Sequence, residues 1–173
     1  MKKFLYFMLA LLTSFQLFAH GPTPQKVQES ITVNSSVEKT WAFVKQFESI
    51  HIWHPSVKET KIEKKGDDTF RILTLEGGGI LEEKLRSVDE DLKKIKWEIT
   101  KGEVPFTDFN AYLIVSKGAN ENESVIQWTA RFYRLYKLNP PIPEGQDDAT
   151  AKAAVQGIVD SGLKGLKETI EKN

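Results

Sequence analysis

Residues 147–173, Asp-Asp-Ala-Thr-Ala-Lys-Ala-Ala-Val-Gln-Gly-Ile-Val-Asp-Ser-Gly-Leu-Lys-Gly-Leu-Lys-Glu-Thr-Ile-Glu-Lys-Asn, decide the fold. From Asp147 onward the pattern is helical. Ala151, Ala154, Val155, Ile158, Val159, Gly162, Leu163, Leu166 and Ile170 recur at i, i+3 and i+4 for about six turns. A helix with one long apolar stripe takes most of its stability from tertiary packing, so it needs a broad apolar partner surface.

The preceding residues supply that surface as strands. Ile126, Trp128, Ala130 and Phe132 form one apolar face. Ile95, Trp97 and Ile99 alternate with Lys94, Lys96 and Glu98, the clearest strand in the chain. Residues 108–116 read as another strand, with apolar residues at both parities, so its facing stays open. Further strands are expected at 80–88 and 69–75, with a weaker one at 58–64. Polar or Gly-rich turns separate them at 66–68, 77–79, 89–91 and 117–124, and Asn139-Pro140-Pro141-Ile142-Pro143 is a rigid connector. A first strand covers 27–33, with Val27, Ile31 and Val33 on one side, and Glu29 interrupts that row as a residue at a cavity mouth or, the preferred reading, at a sheet edge would.

After this strand, Ser35 and Glu38 form a capping-box pattern, followed by Val37, Trp41, Val44 and Phe47 at helical spacing. A short second turn covers Ile50 to Trp53, and Pro55 forces the chain out of it. One strand, short helices, a run of strands and a long terminal helix predict an α+β fold. A curved antiparallel sheet wraps around the C-terminal helix and can enclose a cavity. Residues 27–173 form one domain of a size that supports its own core.

The start of the chain has a different character. Lys2 and Lys3 precede an apolar run, Phe4 to Leu12, and Ala19 offers a small residue at a cleavage site. The run is too short for a membrane span and predicts a signal peptide over residues 1–19. Residues 20–26, with Pro22 and Pro24, form an extended N-terminal arm. Charge is balanced, with 24 basic and 24 acidic residues, which gives no basic footprint for nucleic acid or an anionic membrane. There is no cysteine, hence no disulfide, no thiol nucleophile and no thiolate metal site.

Candidate chemistry is sparse. His51 and His54 are three residues apart, and His20 would be the first residue after cleavage, with an amine and an imidazole to offer a metal such as copper. Against this, His54 suits a helix-to-strand corner and His20 a solvated terminus, so no metal and no cofactor are expected. Gly77 to Gly79 lacks the following Lys-Ser/Thr and helix of a phosphate loop and reads as a hairpin turn. No nucleophile motif occurs, and Glu82 and Glu83 point to opposite faces of a strand. Trp53, His54, Trp97, Phe109, Trp128 and Phe132 are candidate cavity walls for an apolar ligand, or they fill the core. Arg131 and Arg134 are expected on the outer face, away from Phe132, where they either contact a partner or are solvated.

Strand, Trp-containing helix, Trp53-His54-Pro55, several strands and a terminal helix resemble the START-like (SRPBCC) helix-grip superfamily, which includes polyketide cyclases. Arg71 to Leu75, Gly77 to Gly79, Leu81, Glu83, Leu85 and Asp89 resemble its central hairpin. Ala19-His20-Gly21-Pro22-Thr23-Pro24-Gln25-Lys26-Val27, the Trp53-His54-Pro55 motif, and Arg131-Phe132-Tyr133-Arg134 before a Pro-rich loop resemble the small periplasmic MxaD-type proteins encoded with methanol dehydrogenase. This resemblance implies a periplasmic accessory role in methanol oxidation, by contact with methanol dehydrogenase or its cytochrome electron acceptor. It implies no defined reaction and carries over no catalytic residues. Two other readings stand beside it: a carrier of a small apolar ligand, and a cyclase-like enzyme whose cavity folds its substrate. With no catalytic constellation in the residues, the non-enzymatic readings are placed ahead.

Overall fold

The computed structural model describes residues 21–172. The expected leader and His20 lie outside the described residues. Within them the chain runs through β1 (Gln25–Val33), α1 (Val37–Val44), a 3-10 turn (Phe47–Ser49) and α2 (Ile50–Trp53). Six more strands follow: β2 (Val57–Lys65), β3 (Asp68–Leu75), β4 (Ile80–Asp89), β5 (Lys94–Lys101), β6 (Phe106–Lys117) and β7 (Ser124–Arg134). The long helix α3 (Asp148–Lys172) closes the fold.

Among the described residues the strands form one seven-stranded sheet in the order β1-β7-β6-β5-β4-β3-β2. Each neighbouring pair is antiparallel. Every sequential strand from β2 to β7 therefore pairs with the next, and only β1 reaches across to β7. Helix α3 lies against β1, β7 and α2. This is the helix-grip arrangement expected from the sequence, an α+β fold with the helix held by the concave sheet face.

Local departures have identifiable causes. Ser36, not Ser35, caps α1: it is extended (φ −61°, ψ 156°) and its Oγ accepts the Lys39 N–H at 3.4 Å. The Ser35 N–H bonds back to Val33 O at 3.0 Å, which holds Ser35 in the turn leaving β1 and passes the cap to the next residue. The third helical residue is then Lys39, so Glu38 has no reciprocal bond to close a capping box. β1 starts at Gln25, since Gln25 and Lys26 pair with Phe132 and Arg131, and the end of the expected arm is strand. Glu29 lies on this edge strand, where its carboxylate accepts from Gln156 Nε2 of α3 at 3.0 Å.

The open facing of β6 is resolved by a bulge. The β6–β7 register shifts between Thr107 and Asn110, and Asp108 adopts φ +52°. The extra residue lets Phe106 and Phe109, three apart, both point inward, with regular alternation through Ala111, Leu113 and Val115 afterwards. Residues 77–79 close a hairpin, with Leu75 N–H bonded to Gly79 O at 2.9 Å.

Asp147 caps α3, its Oδ1 accepting the Thr150 N–H at 2.7 Å. Val155, Val159 and Leu166 are fully buried on the sheet side of the helix, and each contributes about 1.5–3 kcal/mol of hydrophobic stabilisation. The helix can approach closely because of two glycines. A Cβ on Gly165 would stand 1.8 Å from Trp53 O, and one on Gly162 would stand 2.5 Å from Trp128 Cζ3. The close approach brings α3 down onto the Trp53-His54-Pro55 corner and clamps the roof of the interior.

Candidate ligand-binding cavity

Between the concave sheet face and this roof lies a cavity of about 110 Å³. Its floor is apolar: Leu73 and Leu75 from β3, Leu81 from β4, and Trp97 and Ile99 from β5. Phe109 and Trp128 close the side from β6 and β7, and Ile50, His54 and Ile158 form the roof. The Trp97 and Trp128 rings meet edge to face, 5.5 Å apart at 64°, a favoured aromatic geometry. A cavity of this size is smaller than the ~150 Å³ hollow that accommodates benzene in an engineered core.

Four of the expected wall residues, His54, Trp97, Phe109 and Trp128, do line it. The other two do not. Phe132 is 1 % exposed and packs against Phe106, with ring centroids 6.0 Å apart, inside filled core. Trp53 sits one layer out, edge-on to Trp128 at 6.0 Å, and with Pro55 and Gly165 borders a groove on the outer side of the roof. Its helical position turns it toward α3 instead of the sheet.

His54 has both ring nitrogens engaged. The Ser56 N–H donates to Nδ1 at 3.2 Å, so the proton is on Nε2, which donates to Ile158 O at 3.2 Å. Its pKa is held down at about 4, chiefly by burial, with the nearby Arg71 cation adding to the lowering and the hydrogen bond to Ile158 opposing it. Such a ring is a neutral strut between the corner and α3, not a metal ligand. His51 is exposed, and its Nδ1 faces Glu48 O at 3.1 Å. The two histidines therefore do not converge, and no cluster of three His, Asp or Glu that could hold a metal occurs among the described residues.

The cavity's charged lining residue is Glu83, which the sequence reading did not select. Its Oε2 accepts from Arg71 Nε at 2.5 Å, and both residues are buried. Arg71 Nη1 also donates to Phe47 O at 2.7 Å, and its guanidinium stacks 4.2 Å over the Phe47 ring. Burial lowers the Arg71 pKa, and the Glu83 charge opposes that shift. Removing either partner would strand a buried charge. Glu82 points the other way, as expected, and bonds Lys65 and Thr100; the Lys65 hydrogen bond foremost holds its carboxyl below the usual range. A second polar feature is the Trp128 Nε1–H, which is buried without a hydrogen-bond partner among the described residues. An orphaned buried donor costs about 1–3 kcal/mol.

Arg134 corrects the outer-face expectation. It shares even parity with Phe132 and points inward, 5 % exposed. Its Nε bonds Tyr136 O at 2.7 Å, Nη2 bonds Leu138 O at 3.3 Å, and Nη1 pairs with Asp148 at 3.1 Å. It ties the 135–138 loop to the start of α3 and is not available to a partner. Arg131 is exposed, beside Lys26 in register.

Outside the cavity, a groove of about 310 Å³ runs beneath the β5–β6 loop, lined in part by Thr100, Lys101 and Leu135. Ile99, Val104 and Phe109 line both spaces and form the wall between them. Gly102, at φ +143°, lets this loop turn against Leu81, where a Cβ would stand 2.1 Å from Leu81 Cδ2.

Residues 24–171 match the protein family described as "Polyketide cyclase / dehydrase and lipid transport". No curated protein matches the sequence. Among solved structures, an uncharacterised protein from Bacillus thuringiensis is 23 % identical, with 84 % of this chain and 98 % of that chain covered at a TM-score of 0.72. The Zhui aromatase/cyclase from Streptomyces sp. R1128 is 13 % identical, with 87 % and 95 % covered at 0.71. A START superfamily protein from Mycobacterium smegmatis is 16 % identical, with 85 % and 97 % covered at 0.66. At these identities the likeness is one of fold.

Proposed function

We propose a ligand-binding role for this chain, which belongs to the polyketide cyclase / dehydrase and lipid transport family: it holds one small, largely apolar molecule in the cavity under α3. The observation that carries this reading is the apolar, aromatic-walled space between sheet and helix. A catalytic role has less support. Both nitrogens of His54 are used in holding the roof, and Glu83 is locked to Arg71, so neither has the freedom of a general acid or base. Native mass spectrometry of protein purified from its own cells tests the reading directly. A retained small molecule, released on denaturation and lost when Trp97→Ala opens the wall, is the expected result. Ligand-free protein that also ignores added apolar dye would overturn it.

A second reading concerns where this binding is used. The Ala19 to Val27 stretch, the Trp53-His54-Pro55 corner and the Arg131 to Arg134 segment support an MxaD-type accessory role in periplasmic methanol oxidation, by contact with methanol dehydrogenase or its cytochrome acceptor. The adjacent exposed cations Lys26 and Arg131 suit an acidic partner. Export predicts a mature protein beginning at His20, which N-terminal sequencing reads. Arg131→Glu should weaken partner capture at low salt and leave the melting temperature unchanged. Wild-type protein that captures neither partner at low salt would sink this reading and leave the binding role intact.

A further inference from the structure

Resting on the binding role, we infer that the cavity selects a neutral, hydroxyl-bearing ring compound over both a hydrocarbon and an anion. The polar groups at its wall are specific in kind. Glu83 Oε2 is spent on Arg71, while Oε1 has no hydrogen bond among the described residues; it is an acceptor waiting for a donor. Trp128 lines the same cavity and carries a buried N–H with no hydrogen-bond partner among the described residues, a donor waiting for an acceptor. A hydroxyl group meets both requirements, because it donates one proton and accepts through its lone pairs. A pure hydrocarbon would fill the apolar space and leave both groups unsatisfied, and discrimination in favour of a bonded hydroxyl is strong when the alternative strands buried polar groups.

Charge sets the second selection. Arg71 is not part of the cavity lining, and its charge is answered by Glu83. The charge that faces the ligand is therefore a carboxylate, which repels an anion in a medium where repulsion is poorly screened. A cation would meet Glu83 but stand near the Arg71 guanidinium, so a neutral molecule fits best. Size sets the third. The space of about 110 Å³ is below the ~150 Å³ that holds benzene, so it takes a short branched chain as it stands and a single ring only as its wall gives way. The wall of Ile99, Val104 and Phe109 can yield toward the groove beyond it to admit a substituent.

Phenol, benzene and benzoate at pH 7 form a matched series of probes of one ring size. Isothermal titration or ligand-observed NMR on the wild-type protein should show phenol binding at least tenfold tighter than benzene, with benzoate weakest. Trp128→Phe, which keeps an aromatic wall and removes the N–H, should reduce the advantage of phenol over benzene several-fold. Glu83→Gln, should it fold with Arg71 left unpaired, should restore benzoate binding; the wild-type series decides the matter without it. Benzene binding as tightly as phenol, or benzoate binding best, would overturn the inference and leave the binding role standing. Binding of none of the three would also overturn it. If native mass spectrometry then finds no retained molecule and the protein also ignores added apolar dye, the binding role falls too.

Discussion

His54 is held neutral in the folded protein, which makes it a proton linkage as well as a strut. Its pKa falls from 6.5 to about 4 on folding, so between those values the unfolded chain binds the extra proton and the folded one does not. Its contribution is fully present above pH 6.5 and drains away as pH falls to about 4, amounting to about 3 kcal/mol across the window. Urea midpoints between pH 7 and pH 4.5 should decline for the wild type. His54→Gln should flatten that decline while lowering stability at pH 7; an unaltered slope would show that His54 is not the group responsible. The sequence displayed this residue in a helix-to-strand corner, but its two partners could not be read there. Ile158 is 104 positions away, and only the docking of α3 brings it near. Arg71 and Glu83 do carry a signal in the sequence. Each interrupts an apolar alternation, Arg71-Leu73-Leu75 and Leu81-Glu83-Leu85, and the hairpin register sets the two charges directly opposite, as it does Leu73 and Leu81. Opposite charges at matched distance from a turn are a usable signal for an inner-face pair. Arg134 needed only parity: it falls on the Phe132 side of β7.

At the scale of elements, α3 and its contact with α2 dominate. The stripe from Ala151 to Ile170 was legible because helical periodicity survives any tertiary arrangement, and its buried members are those the spacing predicts. Gly162 and Gly165 carry information that periodicity cannot show, since the cost of a side chain there depends on which backbone lies opposite. Gly165→Ala sets a methyl group against Trp53 O and should cost about 1–3 kcal/mol by forcing the helix outward. Chemical denaturation reads that loss, and Gly157→Ala, which meets nothing within 4 Å, is the control that should show none. Equal effects at the two positions would mean that helix propensity, not the approach to α2, governs. The β6 bulge was invisible for a related reason: apolar residues at both parities in 108–116 fit either facing until the positive φ of Asp108 fixes the phase.

Taken whole, the molecule commits most of its aromatic interior to packing and leaves a small space among four of the six wall residues expected. An aromatic row in a sequence cannot separate a wall from a filler, because the distinction depends on what stands across the gap: Phe132 meets Phe106, while Trp97 and Trp128, edge to face with each other, also border the cavity. A molecule in that space should stabilise the fold by linkage, by about 2.7 kcal/mol at a hundredfold excess over its Kd. Thermal melts with increasing phenol should rise accordingly; a flat response would exclude binding to the native state. The wall of Ile99, Val104 and Phe109 adds a kinetic consequence. It is built from side chains, and rotating them breaks no strand ladder. Passage through it is then set by local rotamer motion and not by opening of the sheet. Exchange of a bound ring should be fast on the NMR timescale under conditions in which the β7 amides remain protected against deuterium for hours, so residence time and fold stability should vary independently.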